Sequence, residues 1–287
     1  MATVGVVSPG AMGSALADTL ARGGARVVAT VAGRSERTRR LSDRARLELL
    51  PDLAAVVREA HVVLSIVPPD AAPGVADDVL GAAREQAVGP LFAELNAIAP
   101  ATALRIEAAA ARTGLEVVDG SISGPPPWKP GATRLYLSGA RADEVAALPF
   151  AGVERIVVGD GVGSASAVKM STASVYKGSS ALLAQALLAA HANGVLEHVL
   201  ADLRAAAPEL VANAERRLAS ATAKSGRYVA EMREIAVTQD AAGLTPALFE
   251  AMAEIYAALA ETLLARESPE DVAADLTLAQ VLDRMQR

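Results

Sequence analysis

Short apolar runs alternate with longer mixed stretches over the first 160 residues. Val4–Val7, Arg26–Val31, Val62–Val67, Leu91–Leu95 and Leu115–Val118 are rich in β-branched or aliphatic side chains. Each is followed by turn formers or polar residues, which marks them as strands. Leu135–Leu137 and Ile156–Val158 extend the series. Between the runs, Ala11–Arg22, 35–43, 70–83 and 101–112 have helical composition, and Gly23-Gly24 stops the first of them. Strands alternating with helices predict βαβ units and a parallel sheet. Strands this continuously apolar predict helices on both faces of that sheet. After Gly163 the strand signal ends, and 164–193, 195–206, 208–223, 227–242, 245–265 and 269–286 all read as helices. The expected fold is therefore α/β, a doubly wound parallel sheet followed by an all-α C-terminal domain. The boundary falls near Gly159–Gly163, giving domains 1–160 and 161–287.

Composition narrows the function classes. The apolar fraction of 52% and charged fraction of 21% fit a globular chain. A net charge of −6 gives no support for nucleic acid as a partner. The absence of cysteine excludes disulfides and thiolate chemistry. His191 and His198 lack a nearby carboxylate pattern, so no metal site is expected. The opening Met-Ala-Thr-Val-Gly-Val-Val lacks a basic n-region and reads as a strand rather than a signal peptide. The apolar stretch 178–200 contains Gln185, His191 and Asn193, so it reads as a buried helix and not a membrane span. A cytoplasmic location is expected. Of 27 basic residues only four are lysines, Lys129, Lys169, Lys177 and Lys224, which makes a lysine in an apolar segment conspicuous.

The first strand runs directly into Ser8-Pro9-Gly10-Ala11-Met12-Gly13. This matches the dinucleotide fingerprint G-x-G-x-x-G except at Ser8. Gly10 allows close approach of a pyrophosphate, Gly13 allows close helix–strand packing, and the helix N-terminus offers free N–H groups. The sheet domain is thus read as a Rossmann domain. A carboxylate at the end of the second strand would bind the ribose 2′-hydroxyl of NAD. Here the segment is Ala32-Gly33-Arg34-Ser35-Glu36-Arg37-Thr38-Arg39-Arg40, with no carboxylate at the strand end. Arg34 and Ser35, with Arg37 or Arg39, suit a 2′-phosphate instead. NADP(H) is the expected cofactor.

With Gly10-Ala11-Met12-Gly13, Asp119-Gly120-Ser121-Ile122-Ser123-Gly124 and Gly163 six residues before Lys169, the chain resembles the β-hydroxyacid dehydrogenase and 6-phosphogluconate dehydrogenase superfamily. Lys169-Met170 through Tyr176-Lys177-Gly178, and Glu231-Met232-Arg233-Glu234-Ile235-Ala236, are similar to a branch with a 6-phosphogluconate-dehydrogenase-like helical domain. The resemblance implies that Ser121, Ser123 and Gly124 bind a substrate carboxylate and that Lys169 is the general acid/base. It further implies that Val67, Pro68 and Asn96 lie along the cofactor, and that the helical domain forms a homodimer. At 100° per residue Ser166, Lys169, Thr172, Ala173, Tyr176, Lys177 and Ser180 share one stripe of a helix.

Departures bear on the substrate. The family's asparagine four residues after the lysine is Ala173, and Thr172 or Tyr176 could take its place, with Lys177 as an added cation. The second glycine of the carboxylate segment is Pro125, which has no N–H to donate. The expected activity is an NADP(H)-dependent dehydrogenase or reductase acting on a small hydroxy or oxo acid. The alternatives are an imine reductase, a class that usually carries aspartate or tyrosine at the lysine position, and a non-catalytic NADP(H)-binding protein. Arg227, Glu231 and Glu234 read as exposed helix charges, with contact to a substrate, from this or a partner subunit, as the alternative.

Overall fold

The computed structural model describes residues 2–267, 272–273 and 275–286. The N-terminal part runs β1 (Thr3–Val7), α1 (Ala11–Arg22), β2 (Arg26–Ala29), α2 (Glu36–Arg44), β3 (Glu48–Leu49), α3 (Leu53–Glu59) and β4 (Val62–Ser65). It continues through α4 (Ala72–Glu85), β5 (Leu91–Glu94), α5 (Pro100–Ala111), β6 (Val117–Ser123), β7 (Arg134–Ser138), α6 (Ala142–Ala146) and β8 (Glu154–Gly159). The strands form one sheet in the order β3-β2-β1-β4-β5-β6-β7-β8. All pairings are parallel except β6 with β7. The sheet is thus mostly rather than wholly parallel.

Alternation along the strands explains the two covered faces. Val4, Val6, Val62, Leu64, Leu91 and Ala93 meet Leu16, Ala17 and Leu20 of α1 in one buried cluster. Val63 and Phe92 point the other way, into a cluster with Val79 and Leu80 of α4 and Ile106 of α5. Strand positions on either face of β1, β4 and β5 are therefore mostly apolar, which is why the runs are nearly continuous. Chain order reverses between β1 and β4, and crevices beyond the carboxyl ends of such strands are where doubly wound folds bind ligands.

From α7 (Ser164–Ala192) onward the chain is helical, with α8 (Leu196–Ala206), α9 (Pro208–Val211), α10 (Ala214–Thr222), α11 (Ser225–Ala241), α12 (Ala247–Ala260) and α13 (Leu278–Arg284). The stretch expected as one helix over 208–223 breaks at Asn213, whose φ of 54° is left-handed. The helix expected over 245–265 ends at Ala260 and gives way to a 3-10 turn, Leu264–Arg266. Of the helix expected over 269–286, positions 269–271 and 274 lie outside the described residues, and Leu278–Arg284 is helical. No helix among the described residues is long and apolar enough to cross a membrane.

By backbone packing the chain divides into two compact units, Met1–Met170 and Ser171–Arg287. The first two turns of α7 belong with the sheet. The second unit has its own core, in which Tyr256, Ile235, Met232, Leu218, Leu187 and Val281 are fully buried.

Candidate functional site

The glycine turn follows β1 directly. Ser8 stands where the fingerprint has its first glycine, and its φ of 61° is the left-handed conformation that glycine would adopt at no steric cost. The turn closes with Gly10 N–H donating to Ser8 O at 2.7 Å. A Cβ on Gly13 would lie 2.7 Å from Ser8 O, so the internal packing of the turn requires that glycine. A Cβ on Gly10 would meet nothing nearer than 4.0 Å. The space beside Gly10 is therefore left by the protein and not filled by it. Gly10 is the N-cap of α1, no side chain caps that terminus, and its first turn has no acidic residue. These features fit a pyrophosphate at the helix N-terminus.

After β2, Gly33 turns the chain with φ of 68°, and Arg34, Ser35 and Arg39 are exposed. Ser35 is the N-cap of α2, accepting from Thr38 N–H at 3.3 Å, and Glu36 occupies the first turn. Ser35 thus caps the start of α2, and the Arg34 and Arg39 guanidiniums stand exposed beyond Gly33.

Beyond β4 and β5 lie Val67, Pro68 and Asn96. Asn96 is 3% exposed and spends its amide internally. Its Oδ1 accepts from Val67 N–H at 2.5 Å and its Nδ2 donates to Ser65 Oγ at 3.0 Å. It thus clamps the ends of β4 and β5 together. Under it Glu94 is fully buried, with Oε1 accepting from Asn96 N–H at 2.9 Å. Burial pushes its carboxyl up to about 8, reinforced by the charge of Asp119 and opposed by donors from Asn96 and Ser65.

At the end of β6 the sequence segment and the lysine come together. Lys169 Nζ donates to Ile122 O at 2.6 Å, so the ammonium lies against Ser121–Ser123. What places it there is Asp119, which sequence reading left without a role. Asp119 is fully buried and accepts from Gly163 N–H, Ser166 N–H, Ser166 Oγ and Ser138 Oγ at 2.6–3.0 Å. It anchors the start of α7 to the sheet, a carboxylate at a helix N-terminus. The spacing from Asp119 to Ser166 is 47 residues, so no local pattern announces it.

Ser121 departs from the expectation of substrate contact. Its hydroxyl donates to Ala165 O at 2.8 Å and the residue is 1% exposed, so it braces α7 instead. Ser123 is half-buried and Gly124 exposed, on the same strand end. In the second unit Tyr176 is 69% exposed and Thr172 half-buried. Lys177 also departs from expectation: it pairs with Glu231 of α11, and its Nζ lies 4.4 Å from the centre of the Tyr228 ring. Glu231, expected on an exposed face, is 3% exposed. Tyr256 donates its hydroxyl to Lys177 O at 2.7 Å and stacks edge-on against Tyr228. These residues lock helices of that unit together.

The family model described as the NAD binding domain of 6-phosphogluconate dehydrogenase matches residues 3–148. A domain of unknown function, DUF1932, matches residues 190–259. No curated protein matches the chain. Among solved structures, the conserved protein MTH1747, described as structurally similar to 3-hydroxyacid dehydrogenases, is 30% identical. The alignment covers 90% of this chain and 97% of that one, with a TM-score of 0.65. Two more distant structures share the fold: a Mycobacterium tuberculosis 3-hydroxyisobutyrate dehydrogenase with L-serine and a Streptomyces aurantiacus imine reductase. The first is 20% identical, with full coverage of both chains and a TM-score of 0.70. The second is 20% identical, covering 99% and 100%, with a TM-score of 0.57.

Proposed function

We infer the function from one premise: the chain belongs to the family of the NAD-binding domain of 6-phosphogluconate dehydrogenase. We propose that it is an NADP(H)-dependent oxidoreductase of the β-hydroxyacid dehydrogenase type, acting on a small hydroxy or oxo acid. The observation that carries this reading is the Lys169 ammonium bonded to Ile122 O at the end of β6. When bound, the nicotinamide accepts or supplies the hydride; the chain supplies binding and the proton.

Each role rests on a named group. The N–H groups of Ala11, Met12 and Gly13 at the start of α1 receive the pyrophosphate, with Gly10 leaving room, while Ser8 and Pro9 shape the turn. Arg34 and Arg39, with the Ser35 hydroxyl, bind the 2′-phosphate beyond Gly33. Val67 and Pro68 form the wall set by Asn96. Ser123 and Gly124 bind the substrate carboxylate. As the neutral amine, Lys169 Nζ takes the hydroxyl proton when the carbon is oxidised and becomes the ammonium; in the reverse direction the ammonium returns that proton. Lys177 has no role in this scheme, because Glu231 neutralises it. A cytoplasmic homodimer joined through the helical unit completes the proposal.

Imine reduction is the second reading. Ala173 is 4% exposed and offers no polar atom where the family has asparagine, and Pro125 has no N–H for a carboxylate. One experiment separates the two. NADPH and NADH binding are followed by fluorescence, then NADPH consumption is measured against oxo acids and cyclic imines. Lys169→Met should cut oxo-acid reduction by about 10²–10⁴-fold with cofactor affinity nearly unchanged. Full activity in that variant would defeat the acid/base role. Arg34→Ala should weaken NADPH by about tenfold, the worth of one charge-assisted hydrogen bond, and leave NADH unaffected. Equal losses for both cofactors would defeat the phosphate assignment.

A further inference from the structure

A polar row crosses the otherwise apolar sheet. Ser65, Glu94, Asp119 and Ser138 are partners in register on β4, β5, β6 and β7, and all four are fully buried. Asp119 collects its donors from the start of α7 and from Ser138. Glu94 is supplied differently. Oε1 takes the Asn96 N–H, while Oε2 is buried with no hydrogen-bond partner among the described residues. A charged carboxylate buried with one oxygen unpartnered is very costly, and the uncharged acid costs much less. The charged group facing it is Asp119 on β6, while β4 presents Ser65 and the segment after β5 presents Asn96.

We propose that Glu94 is a positioning residue for the cofactor site: as an uncharged acid it completes the Ser65–Asn96–Val67 clamp at the ends of β4 and β5, and its ionisation loosens that clamp. The proposal rests on the cofactor reading above and extends it to a pH response. The geometry supplies the link, since Asn96 donates its backbone N–H to Glu94 and holds Val67 N–H with its side chain. Repulsion between two carboxylates on adjacent strands pushes the β5 end away from its neighbour. Because burial pushes Glu94 up to about 8, the folded chain keeps this proton where the unfolded chain has released it. The group's contribution to stability is full below the ordinary carboxylate range. It falls as pH rises toward about 8 and is constant above that.

Glu94→Gln keeps the shape and removes the titration. Three measurements compare it with wild type from about pH 5 to about pH 9: amide exchange at Val67, corrected for intrinsic rates, the thermal midpoint, and NADPH affinity. In wild type, Val67 protection should fall about tenfold between pH 7 and pH 9, and NADPH affinity should fall with it. The wild-type midpoint should decline from pH 5 to pH 8. The glutamine variant should hold its protection and affinity, lose that part of the decline, and be the more stable protein at pH 8. Equal pH profiles in the two proteins overturn the proposal. If neither protein binds NADPH at any pH, the functional reading fails, while Val67 exchange still decides the clamp. Should the variant not fold, an infrared titration of wild type replaces it: a protonated-carboxyl stretch at pH 7, lost above pH 9, is expected, and its absence at pH 7 overturns the proposal.

Discussion

At the scale of single residues, the two glycines of the turn separate folding from binding. Gly13 answers to the protein, since a methyl there would press on Ser8 O at 2.7 Å. Gly10 does not, since a methyl there meets nothing nearer than 4.0 Å, and the proposed pyrophosphate site gives its absence a use. Gly13→Ala should cost about 1–3 kcal/mol by overpacking and lower nucleotide affinity with it. Gly10→Ala should leave stability within about 0.5 kcal/mol and still weaken nucleotide binding by about tenfold, worth about 1.4 kcal/mol. Urea denaturation and NADPH titration on the same preparations check both, and a stability loss at Gly10 matching that at Gly13 would break the distinction. The sequence shows both glycines but not which partner each serves, because that depends on where Ser8 O lies. Ser8 itself marks a departure in the motif. Its left-handed φ costs about 1 kcal/mol, offset in part because serine has fewer unfolded conformations to lose than glycine. Glu94 and Asp119 are equally visible as letters, yet their burial on adjacent strands follows only from sheet register.

At the scale of elements, strong apolar periods were legible and short or capped pieces were not. The strand Glu48–Leu49 has two residues, both exposed, and gives no hydrophobic signal. Helix α3 is short, though Asp52 accepting from Ala55 N–H at 2.8 Å is a capping signal the residue order already carries. The most instructive miss is on α11, where Glu231 looked like a solvated charge. Its partner Lys177 lies 54 positions earlier on α7, and no helical spacing connects them. Both groups are largely out of water, with side chains 14% and 5% exposed. Removing one partner strands the other, so Glu231→Ala should cost about 3–5 kcal/mol. Replacing both, as Lys177→Met with Glu231→Leu, should recover most of that loss, because a well-packed apolar pair often equals a buried ion pair. Chemical denaturation of the two singles and the double gives the coupling. Additive losses would mean that the pair does not hold the helices together.

At the scale of the whole molecule, the family match covers residues 3–148 of the sheet unit, and the second match covers residues 190–259 of the helical unit. Most of the exposed large apolar side chains among the described residues lie in the helical unit. Val175 and Leu182 on α7 are 66% and 65% exposed, and Leu248 on α12 is 53% exposed. Val175 and Leu182 lie seven residues apart, two helical turns along one stripe. Exposed apolar side chains repeated along one helix stripe suit an interface between copies of the chain. A stable homodimer removes about 1,600 Å² in total, and a carboxylate placed inside it has no partner. Wild type should therefore sediment at twice the 29.3 kDa chain mass at micromolar concentration. Leu182→Glu should shift it toward the single chain, because an unpaired buried charge costs several kcal/mol against the few that a weak dimer has to spare. The same change on an exposed helix surface leaves the circular dichroism spectrum intact, which separates dissociation from unfolding. A wild-type chain that sediments as a monomer at every concentration would remove the dimer from the proposed function and leave the exposed stripe without a partner.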